Sequence, residues 1–238
     1  MEILLLMEQV RKKMKELEKI ENFAKVNNVP ILRPKSRQIL VDLVKKYQPK
    51  NILEIGTAIG FSGSLMLLNS ANSKLTTIEI LPAMVEIAKS NFENLELQKR
   101  VKILQGDASE VVKELANPQF LREQKLSPFR EKGLVPDCVG NGGFAPFQQF
   151  DFIFLDGPKS HYLEQLPNLL TLLKIGGVIL ADNVLFMGEV LTNIYPKHKH
   201  RTIILKLRKF IEAVQSNPNL ESEIYNIEDG LILIKKLR

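Results

Sequence analysis

The stretch ILEIGTAIGFS, residues 52–62, decides the fold because it places a glycine-containing turn between an apolar strand and a helix. Glycine at such a turn lets the backbone approach a ligand closely and opens the N-terminus of the following helix towards it. A dinucleotide fingerprint would require Gly-x-Gly-x-x-Gly, but Ala58 and Phe61 occupy its second and third glycine positions. The stretch also lacks the lysine of a phosphate loop. It therefore argues against a nicotinamide oxidoreductase and against a phosphate-loop enzyme.

Glu54 lies beside this turn, two residues before Gly56. A carboxylate at that place would repel a pyrophosphate, but it could accept a hydrogen bond from the ammonium group of a ligand. The sequence therefore favours a cofactor with an amino-acid end over a cofactor with phosphates.

Around this stretch, short apolar strands alternate with helices. We predict strands at 51–55, 75–79, 101–105, 152–155 and 178–181, and helices at 60–68, 82–95, 108–115 and 163–173. The C-terminal part predicts a helix at 202–214 and strands at 221–227 and 231–235, joined by Glu228-Asp229-Gly230, and Asp-Gly is a hairpin signal. This order predicts a Rossmann-like, doubly wound α/β fold. Its seven-stranded sheet would be mostly parallel and would end in an antiparallel hairpin.

The chain is expected to form one domain over residues 1–238, with N-terminal helices within residues 1–47. The segment 117–149 interrupts the alternation of strands and helices, because it contains four prolines and four glycines and has no helical or strand period. Unstructured loops of that length are usually lids or disordered insertions. We predict a flexible insertion there.

The composition, with 45% apolar and 25% charged residues in 238, suits one globular domain. The net charge of +6 fits an anionic partner such as nucleic acid, although many soluble proteins carry a similar excess without such a partner. Cys138 is the only cysteine, which excludes a disulfide framework and a thiolate zinc site. No stretch approaches the ~18 apolar residues of a membrane span, so we predict a cytoplasmic protein without a membrane partner.

Glu79 and Asp107 each follow the end of a predicted strand. Open α/β sheets bind ligands beyond the carboxyl ends of their strands, so Glu79 could accept hydrogen bonds from ribose hydroxyls and Asp107 could contact an adenine ring. Each acid alone is more often a helix cap or a solvated loop residue. Together with Glu54 they favour a nucleotide-like ligand.

A second group of polar residues follows the two strands predicted next. The segment FDFIFLDGPK predicts a strand that ends at Asp156, with Lys159 three residues later, and the segment GGVILADNV predicts one that ends at Asp182-Asn183. If these strands are neighbours, their ends lie about 4.8 Å apart and three side-chain oxygens converge. Such oxygen ligands suit Mg²⁺ or Mn²⁺. Either acid alone could be no more than a strand-end cap.

These motifs resemble those of S-adenosylmethionine-dependent methyltransferases, in particular the metal-dependent O-methyltransferases that act on catechols and on caffeoyl-coenzyme A. The resemblance covers residues 29–238, interrupted by 117–149, and implies the class I methyltransferase fold and a homodimer. It implies that Asp156, Asp182 and Asn183 bind the metal and that Lys159, with Asp156, is catalytic, Lys159 as a base or as an orienting cation. The cofactor contacts that it implies are Leu32, Glu54, Gly56, Thr57, Ser62, Glu79, Asp107 and Asp156.

Within this family the sequence resembles the bacterial enzymes that methylate 5-hydroxyuridine in the anticodon loop of tRNA. The matching stretches are 29–32, 53–62, DNVLFMG at 182–188 with Val190, and the basic run KHKHR at 197–201. The resemblance implies methylation of the wobble uridine to 5-methoxyuridine, since its 5-hydroxyl and O4 carbonyl form the chelate that a metal needs. A small-molecule catechol or phenol O-methyltransferase would share every motif except the need for the basic run. An RNA-binding module without activity is disfavoured because the metal residues and Lys159 are complete.

Overall fold

The computed structural model describes residues 2–117, 149–186, 188–192 and 200–238. The predicted insertion 117–149 lies outside the described residues except at its two ends. Lys197 and Lys199 of the basic run lie outside them too.

The described elements alternate between strands and helices after two N-terminal helices. The helices are α1 (Glu2–Asn27), α2 (Pro34–Tyr47), α3 (Phe61–Leu68), α4 (Pro82–Asn94), α5 (Ala108–Ala116), α6 (Tyr162–Leu172) and α7 (Arg201–Gln215). The strands are β1 (Asn51–Ile55), β2 (Lys74–Glu79), β3 (Val101–Gln105), β4 (Phe150–Leu155), β5 (Leu173–Asp182), β6 (Leu220–Tyr225) and β7 (Leu231–Lys236).

The seven strands form one sheet in the order β3-β2-β1-β4-β5-β7-β6. Strands β1 to β5 are parallel, and β7 pairs antiparallel with both β5 and β6. The strand order reverses between β1 and β4, which is where an open α/β sheet leaves a crevice for a ligand. The predicted fold, including the C-terminal hairpin, is confirmed.

The core lies on both faces of the sheet because successive strand residues point to opposite sides. On one face Leu53 and Ile153 pack with residues of α5, α6 and α7, among them Phe210. On the other face Ile52 and Phe152 pack with residues of α1 to α4. Helices thus cover both faces of the sheet, so a ligand site is expected at the ends of the strands.

Strand β5 is longer than the sequence predicted. It begins at Leu173 rather than at residue 178, because Gly176-Gly177 does not end the strand but lies in a bulge. Phe150 pairs with Leu173 and Phe152 pairs with Val178, so β5 carries extra residues between these pairs. Strand β6 ends at Tyr225 rather than at residue 227, since the Gly230 N–H donates to the Ile227 carbonyl and closes the hairpin turn.

Across the parts of the chain that the structure describes, no helix combines the length and the hydropathy that crossing a bilayer requires. The cytoplasmic location stays a prediction. The homodimer that the family resemblance implies stays a prediction as well.

Candidate active site

The register of the central strands brings the predicted site residues to one edge of the sheet. Ile55 of β1 pairs with Leu155 of β4, and Leu155 pairs with Ala181 of β5. The residues that follow these pairs therefore meet at the carboxyl edge, where a cavity of about 690 Å³ opens. Eight predicted site residues line this cavity: Leu32, Gly56, Glu79, Asp107, Asp156, Lys159, Asp182 and Asn183.

Gly56 lines the cavity at the end of β1. Its φ of +98° lies in the region that side chains avoid, and its N–H donates to the Ile78 carbonyl at 3.0 Å. A Cβ atom at this position would lie far inside van der Waals contact with the backbone carbonyl of Asp156. Glycine is therefore required for the close approach of the β1 turn to the end of β4.

Glu79 is 9% exposed and fastens the glycine turn to the end of β2. Its carboxylate accepts hydrogen bonds from the N–H of Ala58 at 2.8 Å and from the N–H of Leu81 at 2.9 Å. Each carboxylate oxygen can accept more than one hydrogen bond, so Glu79 can also serve a ligand in the cavity. The residue thus both shapes the turn and faces the site.

Asp107 is a helix cap that also lines the cavity. Its Oδ1 accepts a hydrogen bond from the N–H of Ser109 at 2.7 Å, which caps the N-terminus of α5. A role as a helix cap and a role as a cofactor contact are therefore compatible for Asp107. Beside it, Ser109 Oγ lies 3.2 Å from His161 Nδ1 and accepts from Gln165 Nε2 at 3.1 Å.

Three expected cofactor contacts, Glu54, Thr57 and Ser62, are not among the residues that line the cavity, and their contact with the cofactor stays a prediction. The fully buried Glu54 accepts hydrogen bonds from the hydroxyls of Ser62 at 2.6 Å and Thr77 at 2.7 Å. The Thr57 hydroxyl is also bound to Thr77, at 2.6 Å. Because Glu54 lies within β1 rather than beyond its end, its side chain faces the helix-covered side and not the carboxyl edge. The hydrogen bond expected from a ligand ammonium group to Glu54 stays a prediction.

Burial raises the pKa of Glu54 from its usual 4.5 to about 7. The folded protein therefore keeps a proton that the unfolded chain releases between these pH values, so this group's contribution to the free energy of unfolding falls as pH rises through that window. Glu54→Gln removes the titration. Its free energy of unfolding relative to the unmodified protein should increase by up to about 3 kcal/mol between pH 5 and pH 8.

Urea unfolding of the cofactor-free protein at several pH values measures this difference. Glu93→Gln, at an exposed position on α4, is the matched control and should show no such trend. Parallel stability curves for Glu54→Gln and the unmodified protein would show that Glu54 stays ionised in the fold.

Asp156 and Asp182 are the two acids of the predicted metal site, and they follow adjacent parallel strands. Asp156 Oδ1 lies 2.7 Å from Lys159 Nζ, and Asp182 Oδ1 accepts from the Asn183 N–H at 2.8 Å. Asp182 is 4% exposed, and its burial together with the charge of Asp156 raises its pKa to about 7. A cation between the two carboxylates would relieve that repulsion.

Three side chains offer oxygen atoms to a metal here, namely the two carboxylates and the amide of Asn183. All three residues line the cavity. Within the described residues, no cluster of three or more His, Cys, Asp or Glu side chains has the geometry to hold a metal. The two-acid, one-amide set could hold a hard divalent cation whose remaining ligands come from water or substrate.

Sequence reasoning missed the residues that close the cavity from the N-terminal side. Arg33 and Asp229 form an ion pair of 2.8 Å, and both line the cavity. Next to them, the Glu228 carboxylate accepts hydrogen bonds from the N–H of Lys35 at 3.2 Å and of Ser36 at 3.0 Å. The hairpin turn thereby holds the start of α2, and with it Leu32, against the site. The sequence signal for these contacts was the pair of acids, Glu228 and Asp229, in the hairpin turn. That turn was interpreted only as evidence for a hairpin.

Phe186 was missed as well. Its ring lies 5.1 Å from the ring of His200, and it lines the cavity together with Ile203. Its φ of +43° is unusual for a bulky residue and is held by the hydrogen bond from the Glu189 N–H to its carbonyl. This aromatic wall faces the same cavity as Asn183.

The comparisons with known proteins bear on the family of this chain. The sequence model of a family described as O-methyltransferase matches residues 7–127 and 141–237. The chain belongs to the O-methyltransferase family. It is 30% identical to a caffeoyl-CoA O-methyltransferase of Eucalyptus gunnii over 207 residues, which covers 84% of this chain and 72% of the relative. A catechol O-methyltransferase of Niastella koreensis is 31% identical over 159 residues, covering 66% of this chain and 60% of the relative.

The crystal structure of a Bacillus cereus O-methyltransferase in complex with SAH matches this O-methyltransferase with a TM-score of 0.72 and 25% identity. The match covers 93% of this chain and 90% of that chain. The enzyme is therefore an S-adenosylmethionine-dependent O-methyltransferase. The prediction of the family, of the methyl donor and of the reaction class is confirmed.

Replacing Glu79 with alanine should weaken S-adenosylmethionine binding while the sheet remains folded. Loss of hydrogen bonds to a charged acceptor costs about 1.5–3 kcal/mol, which is roughly a tenfold to over a hundredfold loss in affinity. The melting temperature should also fall, because the N–H groups of Ala58 and Leu81 lose their acceptor. Calorimetric titration measures the affinity, with Glu86→Ala on the exposed side of α4 as the control. An unchanged dissociation constant would mean that the ribose binds elsewhere.

Proposed function

We propose that this enzyme depends on Mg²⁺ or Mn²⁺ and methylates the 5-hydroxyl of 5-hydroxyuridine at the wobble position of tRNA, giving 5-methoxyuridine. The observation that carries the proposal is the pair of carboxylates, Asp156 and Asp182, at the ends of adjacent parallel strands, with Lys159 bound to the first. They share one cavity with Glu79 and Gly56, so the methyl donor and the hydroxyl acceptor can meet there.

S-adenosylmethionine would lie along the carboxyl ends of β1, β2 and β3. Gly56 allows the donor to approach the backbone, Glu79 accepts hydrogen bonds from the ribose, and Asp107 lies at the adenine end. Leu32 contributes an apolar wall, and Asp156 borders both the donor and the acceptor. All five residues line the cavity, which supports this assignment.

A divalent cation fits the residues at the end of β4 and β5. Asp156, Asp182 and Asn183 offer oxygen donors, two of them anionic, which is the ligand type that Mg²⁺ and Mn²⁺ prefer. Burial, and after it the charge of Asp156, raises the pKa of Asp182, and a bound cation would oppose both effects by stabilising the carboxylate. When bound, the cation would lower the pKa of a coordinated hydroxyl.

Lys159 is held at the cavity by its ion pair with Asp156. From there its amine can take the proton from the substrate hydroxyl, or its ammonium can stabilise the oxyanion after the proton has left for water. The oxygen then forms a bond to the methyl carbon as the carbon–sulfur bond of the donor breaks. Holding both reactants in line is the main contribution of the protein to this step.

The acceptor side of the cavity suits a planar ring. Phe186 and Ile203 line it with apolar surface, and the ring of His200 lies against Phe186. Aromatic side chains bind the face of an unstacked base in single-stranded RNA, and a phenol ring fits the same wall. Both candidate acceptors, an RNA base and a phenol, carry a planar ring, so this wall does not distinguish between them.

Two features favour an RNA acceptor over a free small molecule. The net charge of +6 suits a polyanion. The basic run ends at His200 and Arg201, where α7 begins beside the cavity-lining Ile203. Cations at a helix N-terminus oppose the helix dipole, so helix stability does not account for them. Contacts with the phosphates around the wobble base would account for these cations.

A small catechol or phenol is the second candidate acceptor. The relatives described as catechol and caffeoyl-CoA O-methyltransferases favour it, and the apolar wall of Phe186 and Ile203 is compatible with it. A catechol offers the same two adjacent oxygens as a 5-hydroxyuracil ring. The two candidates differ in their need for the basic run.

Replacing Lys197, Lys199 and Arg201 with alanine together should weaken tRNA binding, and the salt dependence of log K should flatten by a slope of about two to three. Methylation of a catechol should barely change, because its ring carries no phosphates. The assay offers tRNA with 5-hydroxyuridine and simple catechols side by side to the variant and to the unmodified enzyme. Strong turnover of catechols with none of tRNA would contradict the RNA proposal and leave a small-molecule enzyme.

A further inference from the structure

Tyr162 is a fully buried residue that the family motifs leave without a role. It is the first residue of α6, directly after the short helical turn that carries Lys159. Its ring packs edge-on against Phe210 at 5.6 Å, which fixes the side chain in the core. Its hydroxyl does not face that apolar contact but points to the carboxyl edge of the sheet.

The hydroxyl lies between the ends of the two strands that carry the acids. It is 3.0 Å from the carbonyl oxygen of Leu155 and 3.2 Å from the carbonyl oxygen of Asp182. Leu155 is the residue before Asp156, and the recorded pairing of β4 with β5 ends at Leu155 and Ala181. The phenol can therefore donate its proton to either of these two carbonyl groups, at the point where the pairing of β4 with β5 ends.

The ring of the same residue also lies near the catalytic lysine. Lys159 Nζ is 5.8 Å from the centre of the Tyr162 ring, within the range of a cation–π contact. One side chain thus touches the backbone next to Asp156, the backbone of Asp182 and the ammonium group of Lys159. A phenylalanine would fill the same space, so packing alone does not account for the hydroxyl.

We propose that Tyr162 is a positioning residue, which sets the separation of the Asp156 and Asp182 carboxylates and thereby the affinity of the site for a divalent cation. This inference rests on the proposed metal dependence. Partners that orient metal ligands typically account for about ten- to hundredfold in metal affinity or activity. Tyr162 acts here through backbone carbonyls, so it needs no contact with the cation or the substrate.

The test is Tyr162→Phe, which removes only the hydroxyl. Electron paramagnetic resonance of free Mn²⁺ should show a dissociation constant raised about tenfold or more, while calorimetry shows unchanged S-adenosylmethionine affinity. The kcat at limiting Mn²⁺ should fall, and excess Mn²⁺ should restore most of it. A purely structural defect would not be rescued in this way.

Tyr225→Phe is the matched control, since the Tyr225 hydroxyl donates to Glu223 on β6 and lies outside the cavity lining. It should leave Mn²⁺ binding unchanged. Unaltered Mn²⁺ affinity in Tyr162→Phe would overturn the positioning role and leave the metal proposal intact. Joint loss of Mn²⁺ binding, cofactor binding and thermal stability would also overturn it, because the hydroxyl would then serve the fold. An unmodified enzyme that binds no Mn²⁺ would overturn both proposals.

Discussion

Replacing Asp182 with alanine should lower methyl transfer by roughly a thousandfold or more while S-adenosylmethionine still binds. A metal ligand set contributes several kcal/mol of charge stabilisation, and each 1.36 kcal/mol is about tenfold in rate. The fold should persist, because burial and the charge of Asp156 disfavour the charged form of Asp182 in the cation-free protein. Removing this carboxylate therefore should not destabilise the fold. Single-turnover transfer of a labelled methyl group measures the loss, and calorimetry measures the donor affinity.

Two further variants separate the possible causes of that loss. Asp182→Asn keeps an acceptor for the Asn183 N–H but removes the negative charge, so it should also lose most of its activity. Asp42→Ala removes an exposed carboxylate on α2, outside the cavity lining, and should remain fully active. Turnover retained in Asp182→Ala would contradict a ligand role for this residue.

Replacing Gly56 with alanine should strongly weaken S-adenosylmethionine binding. The added Cβ meets the Asp156 carbonyl, and the φ of +98° is unfavourable for alanine. Overpacking and an unfavourable backbone conformation together cost about 2–4 kcal/mol, which corresponds to roughly thirtyfold to a thousandfold in affinity if the turn moves away from β4. Because the Asp156 backbone is displaced too, methyl transfer should fall along with binding.

Gly176→Ala is the control for the backbone conformation. Gly176 has a φ of +78°, but a Cβ atom there meets nothing within 4 Å. It should therefore lower stability slightly and leave cofactor affinity unchanged. Equal affinities in Gly56→Ala and Gly176→Ala would show that the close approach of β1 to Asp156 is not needed for donor binding.

The alternation of apolar strands with helices was enough to predict the sheet and its antiparallel end. It was also enough to predict that Asp156 and Asp182 lie together, because parallel strands present their carboxyl ends at one edge. The pattern did not show that the Glu54 carboxylate is bound by the hydroxyls of Ser62 and Thr77 and lies outside the cavity lining. These contacts depend on how α3 and β2 pack against β1, which no local pattern in the sequence reports.

Other residues of the site depend on contacts between distant parts of the chain. The ion pair of Arg33 with Asp229 joins the N-terminal linker to the C-terminal hairpin, and the Tyr162 hydroxyl reaches two strands from a helix. Neither contact follows from a local period or a motif. Residues 118–148 of the insertion and residues 193–199 lie outside the described parts of the chain, so their roles stay predictions.

The most direct test of the account is methyl transfer from S-adenosylmethionine after removal of divalent cations with EDTA. The acceptors are tRNA that carries 5-hydroxyuridine and a simple catechol, so that the test does not depend on the choice of substrate. We expect no transfer to either acceptor in the chelator and recovery of transfer when Mg²⁺ or Mn²⁺ is added in excess. Full transfer in the presence of EDTA would contradict the central claim that Asp156, Asp182 and Asn183 hold a metal that activates the hydroxyl.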